Sequence, residues 1–323
     1  MERVGWIDFL RGIAIILILV FHTEVYYKEY SITPYYIYTT NAILLFYFIS
    51  GYLFFRQGKL YFIKKIKSIV RSLLIPYFIF TSVISILKPL VRHQALDWQN
   101  ITITILSGRA SWFIAALILG ELLFTAILKI SRGKHQWLST IAVVCFIIYY
   151  LIPFNQHNYW QWQDALLTYF FLYIGYVFHQ YQSLFHNINK PIYSSLLLLI
   201  LIFIKIYEYH VDIPMRNIAV NHGLLFLADA VVWLLLVVTV IHFIPRNKMI
   251  EWTGQHSIVY YFLAGGCPLL VSILMNKAGW HYENFLWRFI LAFILTYVFA
   301  TILTWGIYHF FPFVLGKKSM NKK

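Results

Sequence analysis

Charged residues are scarce in this sequence of 323 residues, with 12 Asp and Glu against 26 Lys and Arg, together 12% of the chain. A soluble domain usually has about 25% charged residues, so this chain has too few to cover a water-exposed surface. Apolar residues make up 61% of the chain, and its mean hydropathy is +0.70. These proportions exclude soluble globular, disordered and secreted disulfide-rich proteins and indicate a chain that resides in a lipid bilayer.

Cysteines and the motifs of soluble enzymes are also rare or missing. Cys145 and Cys267 both lie in apolar runs, with no sign of a disulfide framework or a metal site. The sequence has no glycine-rich phosphate loop, no pair of histidines at metal-ligand spacing on one helix and no nucleophile elbow. The basic excess lies in short clusters between apolar runs, as in loops of membrane proteins. We therefore expect neither a metal nor a nucleic-acid partner.

Long apolar runs are what the sequence has in abundance. A membrane-spanning helix needs about 20 mostly apolar residues. Roughly ten runs approach this length: 10–27, 36–55, 70–87, 112–128, 138–152, 165–178, 192–207, 223–244, 257–275 and 285–311. The loops between them are short and contain no low-complexity linker or convincing repeat. The sequence thus predicts an all-α, polytopic integral membrane protein with about ten transmembrane helices in a single domain over residues 1–323.

The distribution of Lys and Arg predicts the orientation of the chain. Most of them lie at the two ends and in alternate loops, and positively charged loops face the cytoplasm. Both termini are therefore expected to be cytoplasmic. The first run contains Asp8, Arg11 and His22 and lacks a small-residue cleavage site, so we expect it to stay as a helix and not to be removed as a signal peptide.

Three ionisable residues of the first helix are predicted to face the same side. Arg11 and His22 are 11 residues apart, and at about 100° per residue their directions agree to within about 20°. Asp8 lies about 40° off that line, three residues before Arg11, and could pair with it. Ionisable groups at membrane depth are costly unless they are paired or face a cavity. Imidazole can take a proton from a hydroxyl near neutral pH, and arginine binds phosphate or carboxylate; interfacial snorkelling is the alternative.

Further polar residues within the runs have two interpretations each. Glu121 and Asp229 either make interhelical hydrogen bonds or belong to a functional site. Ser50 and Gly51 permit close helix packing or line a cavity, and Trp112 is an interfacial anchor or part of the site. A larger set shares a basic character and is either a cytoplasmic loop or a patch for a polyphosphorylated cofactor: Lys64, Lys65, Lys67 and Arg71.

Several of these elements together resemble the membrane-bound acyltransferase 3 family, and those of its members that act on enterobacterial common antigen or other envelope polysaccharides. The family's Arg-x10-His element is matched by Arg11 and His22. Other family elements are matched at positions spread along nearly the whole chain: Ser50, Gly51 and Tyr52 in FYFISGYLFF, Lys67, Arg71, Pro76 and Tyr77, Trp112 and Phe113, and Trp252, Gly254, Ser257 and Tyr261 or its neighbour Tyr260.

The resemblance implies an O-acetyltransferase of the bacterial inner membrane that uses cytoplasmic acetyl-CoA and a glycan acceptor among membrane lipids. Arg11 would bind the phosphates of acetyl-CoA or orient its thioester, with Asp8 holding Arg11. His22 would remove the proton from the acceptor hydroxyl or first carry the acyl group.

For the other candidates the resemblance implies roles in binding. Lys67, Arg71 and Trp112 would contribute to the acetyl-CoA site, while Ser50 and Glu121 would line the substrate site. The main alternative function is a transporter or flippase for a glycan or lipid precursor, which predicts paired broken helices that the sequence does not show. The sequence leaves open the sugar, the acyl length, the acceptor's form and the oligomeric state.

Overall fold

The computed structural model describes residues 5–28, 34–54, 62–153, 158–182, 190–209, 222–283 and 285–316. Within these ranges the regular structure is helical, without strands, as the sequence predicts. The orientation of the termini depends on residues 1–4 and 317–323, which lie outside the described ranges, and it stays a prediction.

The helices follow one another with short connections. We number those of the described residues in chain order: α1 Gly5–Lys28, α2 Tyr35–Phe54, α3 Phe62–Ile69, α4 Ile75–Val91, α5 Trp98–Leu106, α6 Trp112–Ile130, α7 His135–Leu151, α8 Trp162–Gln180, α9 Pro191–Tyr209, α10 Gly223–Val240, α11 Lys248–Gln255, α12 Ser257–Leu263, α13 Cys267–Lys277 and α14 Leu286–Phe310. A π-helical turn, Val70–Leu74, joins α3 to α4, so that Phe62–Val91 forms one long apolar element.

Within the described ranges, seven helices are long and apolar enough to cross a membrane, or eight if the bent pair α12 and α13 is one span. The expected count of about ten is therefore not confirmed. The run at 138–152 corresponds to α7, which has only 17 residues, and that at 165–178 to α8, which begins with Gln163 and Asp164 in its first turn. Because α8 packs among α2, α6 and α7, it can carry more polar residues than a lipid-facing helix.

Helix α1 lies at the centre of the bundle and packs against α2, α11, α12, α13 and α14. Helices α2 and α8 pack closely together through two glycines. A Cβ atom at Gly51 would overlap the carbonyl of Leu172, and one at Gly175 would overlap the carbonyl of Phe48. Small residues let membrane helices approach this closely, which explains Gly51 as a packing residue and leaves the adjacent Ser50 free to face elsewhere.

Candidate active site

A cavity of about 320 Å³ lies beside α1 at the level of Arg11. We call it the Arg11 cavity. Its walls come from α1, α2, α3, the π-helical turn, α6, α11 and α12, so it forms only when distant parts of the chain pack together. The residues with polar side chains that line it are Arg11, Ser50, Lys65, Ser72, Glu121, Gln255, Ser257 and Tyr261. The structure thus brings together three of the residues singled out in the sequence, Arg11, Ser50 and Glu121.

The charges around the Arg11 cavity balance one another. Lys65 Nζ lies 3.1 Å from a carboxylate oxygen of Glu121 and 3.6 Å from the centre of the Phe54 ring. The negative charges of Asp8 and Glu121 act on the Arg11 guanidinium. Two cations therefore face two anions, which lowers the cost of keeping all four groups within the bundle.

Asp8 is not among the residues that line the Arg11 cavity. Its side chain is buried, and in the described part of the chain it makes no ion pair with Arg11 within 4.0 Å. The pairing expected from their spacing is thus a longer-range attraction in this structure. The role of Asp8 in holding Arg11 stays a prediction.

The position of Arg11 depends on the contact between α1 and α11. Helix α11 begins after Asn247, whose side chain accepts hydrogen bonds from the backbone N–H groups of Met249 and Ile250, as a good N-cap does. A Cβ at Gly254 would overlap the carbonyl of Asp8, and one at Gly12 would overlap the carbonyl of Ile250. The two backbones are therefore nearly in contact, one residue away from Arg11.

His22 lies farther along α1, outside the lining of the Arg11 cavity. Eleven residues of helix separate the two side chains, a rise of about 16 Å. The imidazole ring is half-buried near Phe21 and Tyr26, and the positive charge of Lys88 on α4 acts on it. Lys88 Nζ donates a hydrogen bond to the Tyr26 hydroxyl at 3.0 Å.

Two isoleucines occupy the face of α1 between Arg11 and His22. Ile15 and Ile18 follow Arg11 at intervals of about one and two turns, and they are 0% and 2% exposed. Aromatic rings pack at the cavity wall: the centre of the Phe113 ring lies 4.9 Å from that of Tyr261 and 5.3 Å from that of Tyr47. A substrate that reaches from Arg11 to His22 has to displace some of these side chains.

The other predicted donor-site residues lie outside the Arg11 cavity. Lys67 is exposed on α3, and Arg71 is exposed on the π-helical turn, where its stem packs against Gly316. Trp112 is half-buried at the start of α6, with its ring 6.2 Å from that of Phe113. Their roles stay predictions, and in this structure they belong to the surroundings of the cavity.

Sequence reasoning missed some of the lining. Lys65 belongs to the expected basic cluster and is the member that reaches the cavity, because it shares one face of α3 with the buried Ile69, four residues later. Ser257 and Tyr261 were visible only as parts of a motif. Ser72 and Gln255 have no distinguishing sequence signal, since isolated polar residues at helix ends are common.

We also searched the described residues for a metal-binding site. Among the described residues, no three His, Cys, Asp or Glu side chains form a group that could hold a metal ion.

Comparison with known proteins gives one match. The model of a family described as an acyltransferase domain matches residues 4–309, from the start of α1 to the end of α14. No curated protein and no solved structure matches the chain significantly.

Proposed function

Since this chain belongs to the acyltransferase 3 family and is a membrane acyltransferase, we propose that it moves an acetyl group from cytoplasmic acetyl-CoA to a glycan hydroxyl. The acceptor is a cell-envelope polysaccharide or its lipid-linked precursor in the bacterial inner membrane. The observation that carries this proposal is the Arg11 cavity, a polar and charge-balanced space on the same face of α1 as a histidine.

We place one part of acetyl-CoA in the Arg11 cavity and the other part on the protein surface outside it. The cavity of about 320 Å³ is at the small end of ligand sites, and its charges are already balanced. We therefore assign it to the uncharged pantetheine arm, whose thioester end extends beyond the cavity towards His22. The phosphates of acetyl-CoA would bind the exposed Lys67 and Arg71, which have no need to enter the bundle.

Each lining residue has a part in this arrangement. Arg11 donates hydrogen bonds to an amide carbonyl of the pantetheine arm and so directs the thioester end along α1 towards His22. The Ser50 hydroxyl binds an amide of the pantetheine arm, and Glu121 holds Lys65 at the wall. Asp8 lowers the cost of the arginine charge.

The chemical step transfers an acyl group and one proton. The acceptor hydroxyl oxygen attacks the thioester carbonyl carbon, His22 takes the hydroxyl proton, and the carbon–sulfur bond breaks to release CoA. The proton then leaves with the CoA thiolate, so the enzyme returns to its starting state. This route requires the arm to pass Ile15 and Ile18, and we expect the aromatic wall of Phe113 and Tyr261 to open when the donor binds.

The test is transfer of label from radioactive acetyl-CoA into the glycan fraction of membranes that contain the protein. Arg11→Ala and His22→Ala should each abolish it, whereas the exposed-site controls Arg92→Ala and His242→Ala should keep it. Labelling that persists in both site variants would overturn the assignment. Glycan movement across the membrane without labelling would favour a transporter.

A further inference from the structure

A second space, which shares no lining residue with the Arg11 cavity, lies between α1, α2, α9 and α10. It has a volume of about 520 Å³ and an almost entirely apolar lining. We call it the α9–α10 groove. Leu198 and Phe243 at its margin are about half exposed, so a molecule can enter it sideways from the bilayer.

A charged cluster lies farther along α9 and α10, outside the lining of the groove. Lys205 of α9 lies 2.9 Å from a carboxylate oxygen of Asp229 on α10 and 3.1 Å from one of Glu208. All three side chains are largely buried. We call this set the Lys205 cluster.

Helix register places the Lys205 cluster in line with the groove. On α9, the groove residues Ser194 and Leu198 precede Lys205 by 11 and seven residues, which puts them on the same face. On α10, Asp229 stands one turn before the groove residue Trp233. From the cluster to Ser194, this amphipathic channel extends about 16 Å.

Several buried polar atoms along the channel have no hydrogen-bond partner. Asn41 of α2 is fully buried and its side chain acts on the Asp229 carboxylate, but its amide atoms do not reach the distance and angle of a full hydrogen bond. Asp229 Oδ1, Ser194 Oγ and Trp233 Nε1 are also unpartnered. Buried polar groups are nearly always satisfied, so four such residues along one channel indicate a ligand with polar groups.

The charge of the cluster selects among lipids. Within the described part of the chain, the cluster has one ammonium beside two carboxylates, a net charge of −1 when all are ionised, which repels a phosphate. Carboxylates and an asparagine oxygen instead accept hydrogen bonds from hydroxyl groups, and the ammonium and the asparagine N–H donate to them.

We propose that the α9–α10 groove binds a sugar-headed lipid, with one chain in the apolar part and the sugar hydroxyls at the Lys205 cluster and Asn41. This site is separate from the Arg11 cavity and does not depend on acyl transfer.

Photolabelling of the full-length protein in phosphatidylcholine nanodiscs tests this directly. Two probes carry the same diazirine-tagged alkyl chain, one as a glucoside and the other as a phosphate ester. We expect the glucoside to label peptides of α9 and α10 about tenfold more than the phosphate does. Equal labelling by the two probes would show an unselective lipid crevice and overturn the proposal.

Two variants separate tail binding from head recognition. Ser195→Trp fills the groove from an exposed position and should lower glucoside labelling about tenfold, whereas Leu196→Trp, which points about 100° away from Ser195 and lies outside the groove lining, should not. Equal labelling of these two would contradict the site. Glu208→Gln with Asp229→Asn should reverse the preference towards the phosphate probe, and an unchanged preference would contradict the charge argument. If that double variant does not fold, the tryptophan pair still decides.

Discussion

The Arg11 cavity and the α9–α10 groove flank the same helix, yet they are built in opposite ways. The cavity is small, polar and charge-balanced, and its backbone walls are fixed by glycine contacts. The groove is larger and apolar and is partly open to lipid, and farther along α9 and α10 the described residues form a charged cluster with an excess of negative charge. In our proposals, α1 therefore separates a site for the acyl donor from a site for a lipid.

The largest expected effect is a loss of acetyl transfer that leaves lipid binding at the groove unchanged. His22→Gln removes the proton acceptor while keeping a polar side chain, so kcat should fall by about 10²–10⁴-fold. Glucoside labelling of the groove should not change, because His22 lines neither space. Steady-state acetyl transfer and photolabelling of the same preparation measure both. If His22→Gln lowered acetyl transfer and glucoside labelling together, the two sites would not be independent.

The next effect concerns the balanced charges of the cavity. Lys65→Met leaves the buried Glu121 carboxylate without its partner and should destabilise the protein by about 3–5 kcal/mol. Glu121→Gln should cost less, because Lys65 is one-quarter exposed and its ammonium can reach water. The double variant should recover much of the lost stability. Unfolding free energies in a denaturant titration measure this order, and equal costs for the two single variants would contradict it.

A smaller effect tests the glycine contact that positions Arg11. Gly254→Ala places a methyl group against the Asp8 backbone and should cost about 1–3 kcal/mol with a loss of transfer activity. Gly306→Ala on α14 is the matched control, since its Cβ meets nothing within 4 Å. It should be neutral or slightly stabilising, because alanine favours helix. Thermal unfolding and acetyl transfer are measured for both variants. Equal stability and activity of Gly254→Ala and Gly306→Ala would contradict the claim that the close backbone contact positions Arg11.

The smallest effect sharpens the description of the groove. Asn41→Leu replaces a buried amide that lacks a full hydrogen bond and should leave stability unchanged or raise it by about 1 kcal/mol. Glucoside labelling should nevertheless fall. If the protein instead loses stability without a change in labelling, Asn41 is a structural residue and not a ligand contact.

Helix periodicity was sufficient to predict the face of α1, because a long helix keeps its register regardless of its neighbours. Arg11 could therefore be assigned to a site before any contact was known. The direction of Ser50 could not, because its neighbour Gly51 explains the small-residue pair by packing alone, and only the α2–α8 contact shows which residue faces the cavity.

Tertiary packing determines which of the basic residues reach the Arg11 cavity, and the sequence alone does not show this. Lys67 and Arg71 looked equivalent to Lys65 as parts of one basic cluster, but only the packing of α3 against α6 brings Lys65 to Glu121. Hydropathy alone also does not give the number of membrane spans. Helix α7 is too short and α8 too polar to count as a span by length and composition. The sequence alone does not point to Asn41, because only the folded structure shows that its buried amide lacks a full hydrogen bond.

The central claim is that Arg11 holds the donor while His22, about 16 Å farther along the helix, performs the transfer. The most direct test is the equilibrium affinity of the purified Arg11→Ala and His22→Ala proteins for acetyl-CoA, measured by calorimetry beside the wild type. The account predicts that His22→Ala binds acetyl-CoA as tightly as the wild type, and that Arg11→Ala binds it at least about tenfold more weakly. Wild-type affinity in Arg11→Ala, or a loss of affinity confined to His22→Ala, would contradict it.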